Sequence, residues 1–260
     1  MSIAITKMFD LGTLSWNPLG GTCPFNCIYC WSVGEKGLVK RYKMKKYQGP
    51  PRLIEKEFKP FEEGEFVFVQ DMSDLFAEIV PKKHVERILE HTKKFPETAF
   101  LLLTKNPERY LEFEDRIPSN CICGATVETN RDKGYRKISR APSPTERLAA
   151  MHLLKGDVKK MVSIEPIMDF DLDDFVDEIE AMRPSFVYVG YGNYNYGLPE
   201  PLLPKTKELI TKLQKFTEVR TRSYSKATCE SNMYLKTLLR GRGVYGRQFI
   251  SCAEWLKQQK

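Results

Sequence analysis

Short runs of continuous apolar residues recur along this chain, and each ends abruptly in polar ones. Glu65-Phe66-Val67-Phe68-Val69-Gln70 is the clearest. A strand with one face in water alternates apolar and polar residues. A run that is apolar throughout reads instead as a parallel strand covered on both faces. Further strands are read near residues 11–16, 98–103, 121–127, 158–164 and 185–190, with 217–222 as one more. Helical stretches lie between them. Pro81 opens one that runs to about Phe95, with Val85, Ile88 and Leu89 on one face. Ser143-Pro144-Thr145-Glu146 has the cap, the first-position proline and the third-position glutamate of a helix start. That helix is expected to run to about Lys155, with Gly156 closing it. Asp171–Met182 and Pro204–Phe216 read as amphipathic helices, with shorter ones at 52–59 and from Pro107, and a further one at Ala227–Leu239. Strand and helix alternate about six times, which implies right-handed βαβ units and a parallel α/β sheet, either open or partly closed into a barrel. The 260 residues suffice for one large domain or two small ones.

The first strand hands the chain, through Gly20-Gly21, to Thr22-Cys23-Pro24-Phe25-Asn26-Cys27-Ile28-Tyr29-Cys30-Trp31. Three cysteines stand at C-x3-C-x2-C spacing, with no histidine nearby to be a fourth ligand. Four thiolates would close a zinc site or fill every iron of a cubane. Three suit a [4Fe-4S] cluster with one iron open to an outside ligand. A zinc knuckle completed by a distant residue, or a group of structural thiols, is the alternative. Seven cysteines, three of them grouped, point to a reducing compartment rather than a disulfide framework, hence to the cytoplasm. Cys121 and Cys123 read as core thiols, His84 and His91 as surface residues and His152 as structural. No run approaches the ~18 apolar residues of a membrane span, and Met1–Asp10 lacks the pattern of a secretory signal.

The cysteine spacing, with Tyr29 directly before the last cysteine, resembles that of the radical S-adenosylmethionine (SAM) superfamily. The resemblance implies that Cys23, Cys27 and Cys30 hold the cluster. SAM then chelates the open iron through its amino and carboxylate groups, and one electron cleaves it to a 5'-deoxyadenosyl radical that abstracts hydrogen. It also implies a partial (β/α)6 TIM-like barrel with a C-terminal extension, Tyr29 near the adenine, and an electron donor such as a flavodoxin or ferredoxin. The set WNP, QDMSDLF, LLTKNPERY, GATVETN and SIEP is similar to a small phage-associated or spore-photoproduct-lyase-like branch, over most of residues 13–193. The family's glycine-glycine-glutamate after the second strand is replaced by Gln70-Asp71-Met72-Ser73. In parallel α/β folds the chemistry sits at the carboxyl ends of strands. Those ends carry Gln70, Asp71, Ser73 and Asp74, then Thr104 and Lys105, Glu128 and Asn130, Glu165, and Asn193. The resemblance carries Asp71 and Ser73 to the SAM amino group, Glu128 to the ribose, and Glu165 to the polar set after the fifth strand.

The net charge is +7, from 41 Lys and Arg against 34 Asp and Glu. One basic block is Lys40-Arg41-Tyr42-Lys43-Met44-Lys45-Lys46-Tyr47; a second, in the C-terminal third, has Arg220, Arg222, Lys226, Arg240, Arg242 and Arg247. Basic residues interleaved with tyrosines suit phosphates and stacked bases, although a solvated charged face is the plainer reading. A nucleic acid or nucleotide is the favoured substrate class. A peptide or small metabolite loses weight, because Cys229 and Cys252 are too few for the extra clusters of peptide-modifying relatives. Either thiol is a candidate hydrogen donor to a product radical. From a different class, the alternative is a non-catalytic zinc or iron–sulfur module that grips nucleic acid. Residues 1–200 are expected to form the core barrel, and 201–260 its last helix and an extension acting as lid or substrate-binding part.

Overall fold

The computed structural model describes residues 14–34, 37–192 and 196–222. Strand β1 (Leu14–Trp16) leads to β2 (Leu19–Gly20), and helix α1 (Leu38–Arg41) follows the cysteine loop. β3 (Arg52–Leu53) returns to pair antiparallel with β2. Then come β4 (Phe66–Val69), α2 (Lys82–Thr92), β5 (Ala99–Thr104) and β6 (Cys121–Thr126). Helix α3 (Pro144–Leu153), β7 (Lys159–Ile164), α4 (Leu172–Met182), β8 (Phe186–Gly190), α5 (Leu203–Leu213) and β9 (Glu218–Arg222) complete the order. Seven strands form one parallel sheet in the order β1-β4-β5-β6-β7-β8-β9, curled into a half-barrel. The expected partial TIM-like barrel is what folds. It has seven strands rather than six, because α5 and β9 carry the sheet past residue 200.

Both sheet faces are covered, as the apolar runs imply. Val67, Val69, Phe100, Leu102, Val162, Ile164, Val187 and Val189 share one core with Val85, Ile88, Leu148, Phe175 and Leu209 of the helices. The alternate residues Phe68, Leu101, Ile122, Met161, Phe186 and Tyr188 form a second cluster, as the two-residue period of a strand requires. α3 starts with the expected capping box. The Glu146 backbone N–H donates to Ser143 Oγ (3.4 Å), and the Ser143 N–H donates to Glu146 Oε2 (2.6 Å). It stops at Leu153 because Leu154 is extended; Gly156 does not close it. No helix among the described residues is long and apolar enough to cross a membrane.

The short helix expected from Pro107 forms as one 3-10 turn, Pro107–Tyr110. Two other expectations fail for identifiable reasons. The helix at 52–59 is absent. Arg52 and Leu53 pair with β2, the Ile54 N–H donates to the Pro18 carbonyl (2.8 Å), and only a 3-10 turn, Glu55–Glu57, follows. His91 is not on the surface but 5% exposed, packed among Trp16, Phe58, Phe61 and Phe95. Burial holds its imidazole below the usual range and hence neutral, so Nε2 carries the proton that meets the Lys59 carbonyl at 2.9 Å. His152 does join two elements, through Glu178 of α4 (2.9 Å). The residues expected as a helix at 227–239 lie outside the described ones.

Candidate active site

Gly20 and Gly21 turn the chain into the cysteine loop, but the backbone they approach is the protein's own. Gly21 has φ +110°, donates to the Lys46 carbonyl (2.9 Å), and a Cβ there would meet Pro50 O at 2.7 Å. Arg52 holds that facing backbone, donating to the carbonyls of Lys45, Lys46, Gln48 and Pro50. Gly21→Ala is therefore expected to cost about 1–3 kcal/mol in urea unfolding. Gly156→Ala, with nothing within 4 Å, is expected to be near neutral.

Within the loop Asn26 takes the left-handed conformation (φ 45°) that asparagine tolerates. Cys23 and Cys30 are half-buried and Cys27 is buried. Each sulfur has a hydrogen-bond partner. The Val33 N–H donates to Cys30 Sγ (3.3 Å), a Phe25 backbone hydrogen bond reaches Cys23, and Ser139 Oγ lies 3.1 Å from Cys27 Sγ. Burial pushes the Cys23 thiol far up, with Asp74 adding to it. Burial also raises Cys27, against the pull of the Lys105 charge and the Ser139 hydroxyl. Among the described residues no three His, Cys, Asp or Glu side chains converge on a single-ion site. Three thiols that each have a hydrogen-bond partner fit a cluster needing three thiolates, and fall one ligand short of a closed zinc site.

Behind the loop, Glu128 collects four donors from four segments. It is 0% exposed. Tyr29 Oη and Lys105 Nζ donate to Oε1, as does Tyr135 Oη (3.0 Å), while Arg147 Nη1 donates to Oε2 (2.9 Å). The Lys105 ammonium also stands over the Tyr29 ring (5.1 Å), and the Arg147 guanidinium over Tyr135 (4.7 Å). Burial alone would raise the Glu128 carboxyl; the Arg147 and Lys105 charges and their hydrogen bonds outweigh it and hold it at about 2. A carboxylate has about four acceptor positions. Three of these donors meet Oε1 and one meets Oε2, so Glu128, which the resemblance carried to the SAM ribose, keeps acceptor capacity on Oε2. It also ties Tyr29 of the cysteine loop to β5 and α3.

The other strand-end residues divide. Asp71 accepts from Asn17 Nδ2 (2.6 Å), and burial raises its carboxyl. Gln70, with φ +62°, exchanges hydrogen bonds with the Leu19 backbone and donates to Ser73 Oγ (2.7 Å). Asp74 is an internal brace, accepting from Thr104 Oγ1 (2.6 Å) and from the N–H groups of Lys105 (2.8 Å) and Phe76 (3.0 Å). Asn130 is another, exchanging hydrogen bonds with the Asp171 backbone at the start of α4. Glu165 packs on Gly190, where an added Cβ would stand 3.1 Å from its carboxylate. Asn193, Cys229 and Cys252 lie outside the described residues. Sequence reasoning missed Asn17, Tyr135, Ser139 and Arg147. Of these Asn17 carried a signal, as the centre of the WNP motif, and Arg147 a weaker one, as a charged residue four positions before Met151 on one helix face.

The sequence matches the family described as "Protein of unknown function (DUF5131)" over residues 13–178. No curated protein matches it. Among solved structures, spore photoproduct lyase complexed with dinucleoside spore photoproduct superposes with a TM-score of 0.55 at 14% identity, over 92% of this chain and 75% of that one. Streptococcus suis SuiB bound to precursor peptide SuiA gives 0.52 at 8% identity, over 87% of this chain and 51% of SuiB. SuiB bound to S-adenosylmethionine gives 0.51 at 8% identity, over 81% and 50%. Both neighbours are radical SAM enzymes. With nearly two thirds of its length in one family match and its curled parallel sheet shared with these structures, the chain belongs to the DUF5131 family and has the radical SAM fold.

Proposed function

We propose that this chain is a radical SAM enzyme. The observation that carries the proposal is the position of the three-thiol loop, directly after the first strand of a half-barrel shared with radical SAM enzymes, with a hydrogen-bond partner on each sulfur. Cys23, Cys27 and Cys30 hold a [4Fe-4S] cluster. When bound, that cluster supplies the electron that cleaves SAM reductively to 5'-deoxyadenosine's radical. Tyr29 lies against the adenine, and Glu128, which accepts from the Tyr29 hydroxyl, serves the ribose. Asp71 and Ser73 serve the SAM ammonium, and Glu165 belongs to the polar set at the same mouth. A flavodoxin or ferredoxin of the cytoplasm is the electron donor. Residues 201–260 serve as lid and substrate-binding part, with Cys229 or Cys252 as candidate hydrogen donor.

The substrate is a nucleic acid or nucleotide. Lys40, Arg41, Lys43 and Lys45 are exposed, and none has an acidic partner among the described residues. Tyr42 beside them is 63% exposed, with Arg41 over its ring (5.5 Å). Val39 and Tyr47 fasten this segment to Met72, next to Ser73. Such a face presents cations and one stacking ring at the edge of the mouth. The Lys40→Glu/Arg41→Glu/Lys43→Glu variant is expected to weaken binding of a fluorescent single-stranded oligonucleotide. Its log K against log salt slope should flatten by about 2, roughly 0.7 per lost phosphate contact. Anisotropy across a salt series checks this; an unchanged slope would remove nucleic acid from the proposal.

The test of the cofactor is metal content. Purified without oxygen and reconstituted with iron and sulfide, the chain should be brown and hold about four irons. A colourless protein holding one zinc would support the binding-module alternative instead.

A further inference from the structure

We infer that Ser139 is a positioning residue for the cluster site, its hydroxyl donating to the Cys27 thiolate and raising the reduction potential of the centre that Cys27 holds. The inference rests on the proposed function of the loop. Residues 138–141 clamp the cysteine loop from the far side. The Ile28 N–H donates to the Ile138 carbonyl (3.0 Å) and the Arg140 N–H to the Phe25 carbonyl (2.7 Å), on either side of Cys27. Ser139, 2% exposed, stands between these two bonds. The same stretch begins at the 3-10 turn Tyr135–Lys137, whose Tyr135 is fixed by Glu128, so the clamp is anchored in the barrel.

The hydroxyl has one proton and two acceptors within reach: Cys27 Sγ at 3.1 Å and the Phe25 carbonyl at 3.3 Å. The carbonyl also accepts from Arg140 at 2.7 Å and takes the Ser139 proton on its second lone pair in the metal-free chain; an anionic thiolate at the shorter distance is the stronger acceptor. The Ala141 N–H donates to Ser139 Oγ (3.1 Å), occupying a lone pair and turning the O–H away from it. A metal-bound thiolate has no proton to give. Between Cys27 and Ser139, the hydroxyl is therefore the donor once metal is bound. Reduction adds one electron, and with it one negative charge, to the cluster and its sulfurs. A donor aimed at a ligand sulfur stabilises the reduced form more than the oxidised form, and does so more strongly in a buried site. Nothing in the chemistry of the loop sequence marks Ser139, which is 112 residues from Cys27.

The test uses the full chain, reconstituted without oxygen, as wild type, Ser139→Ala and Ser139→Thr. Iron is counted, and the potential is read by EPR-monitored redox titration. Ser139→Ala is expected to keep its iron. At the wild-type midpoint its reduced-to-oxidised ratio should fall about three- to tenfold, a shift of about 30–60 mV to more negative potential for a one-electron couple. Ser139→Thr, which keeps the hydroxyl, is expected to titrate with the wild type. An unmoved midpoint in a fully loaded Ser139→Ala overturns the inference and leaves the proposed function standing; so does a Ser139→Thr that shifts as far as alanine. If Ser139→Ala loads no iron while Ser139→Thr loads fully at the wild-type potential, the hydroxyl is supported. If both fail to load, the position matters only for packing and the inference falls. A wild type that takes up no iron–sulfur centre overturns the proposed function and this inference with it.

Discussion

Glu128→Ala should lower the stability of the folded chain by about 3–5 kcal/mol in urea unfolding, the cost of leaving a buried charge without its partner. Two cations depend on this carboxylate. Arg147 is 0% exposed, and Lys105 is almost fully enclosed. Burial lowers the pKa of each, and the Glu128 charge more than restores it. Without Glu128 the two like charges face each other inside the protein, and the Tyr29 and Tyr135 hydroxyls lose their acceptor. Glu128→Gln keeps the shape and loses the charge, so it should fall between wild type and alanine. Removing the charged pair together, with Glu128→Leu/Arg147→Met, returns the cluster to its original net charge with Lys105 as the one remaining cation and should recover part of the loss, because a buried pair is dearer to break than to replace. The pH dependence follows. The Glu128 carboxyl sits at about 2 in the fold against an ordinary 4.5. The stability it contributes is therefore complete above pH ~4.5 and is lost as pH falls towards about 2. Wild type and Glu128→Gln should converge on acidification through that window. Parallel curves would place the stabilising charge elsewhere.

Replacing any one of Cys23, Cys27 and Cys30 with Ala should reduce iron after reconstitution to background, and SAM cleavage by more than about a hundredfold. The sharp comparison is with the two thiols of β6. Cys121 and Cys123 are buried in the sheet core. Burial pushes the Cys121 thiol up to about 12, with only the Thr92 hydroxyl and Lys159 opposing it. Cys121→Ala and Cys123→Ala should cost about 1 kcal/mol each through lost packing and leave iron content unchanged. Equal iron loss from the β6 variants would mean that the loop is not the ligand set.

The placement of Cys121 and Cys123 in a buried strand was legible in the sequence, since they alternate along one apolar run. The parallel strands were legible for a similar reason. Residues such as Phe66–Val69 are apolar at every position, and only a sheet covered on both faces makes that favourable. What failed was local pattern overridden by distant pairing. Residues 52–59 carry helical spacing, yet Arg52 and Leu53 are captured by β2. His91 looks polar on α2, yet it faces three aromatic rings from other segments, Trp16, Phe58 and Phe61, and Phe95 four residues on. The Glu128 cluster was hardest to see. Its donors Tyr29, Lys105, Tyr135 and Arg147 come from four separated segments, so no window of sequence contains it.

The central claim is that the cysteine loop makes radicals from SAM, and one measurement meets it directly. The reconstituted chain is reduced with dithionite in the absence of oxygen, given SAM, and assayed chromatographically for 5'-deoxyadenosine, beside the Cys23/Cys27/Cys30→Ala triple variant. Deoxyadenosine from the wild type and none from the variant is the expected result. A wild type that carries its iron, is fully reduced and still forms no more deoxyadenosine than the variant would contradict the claim.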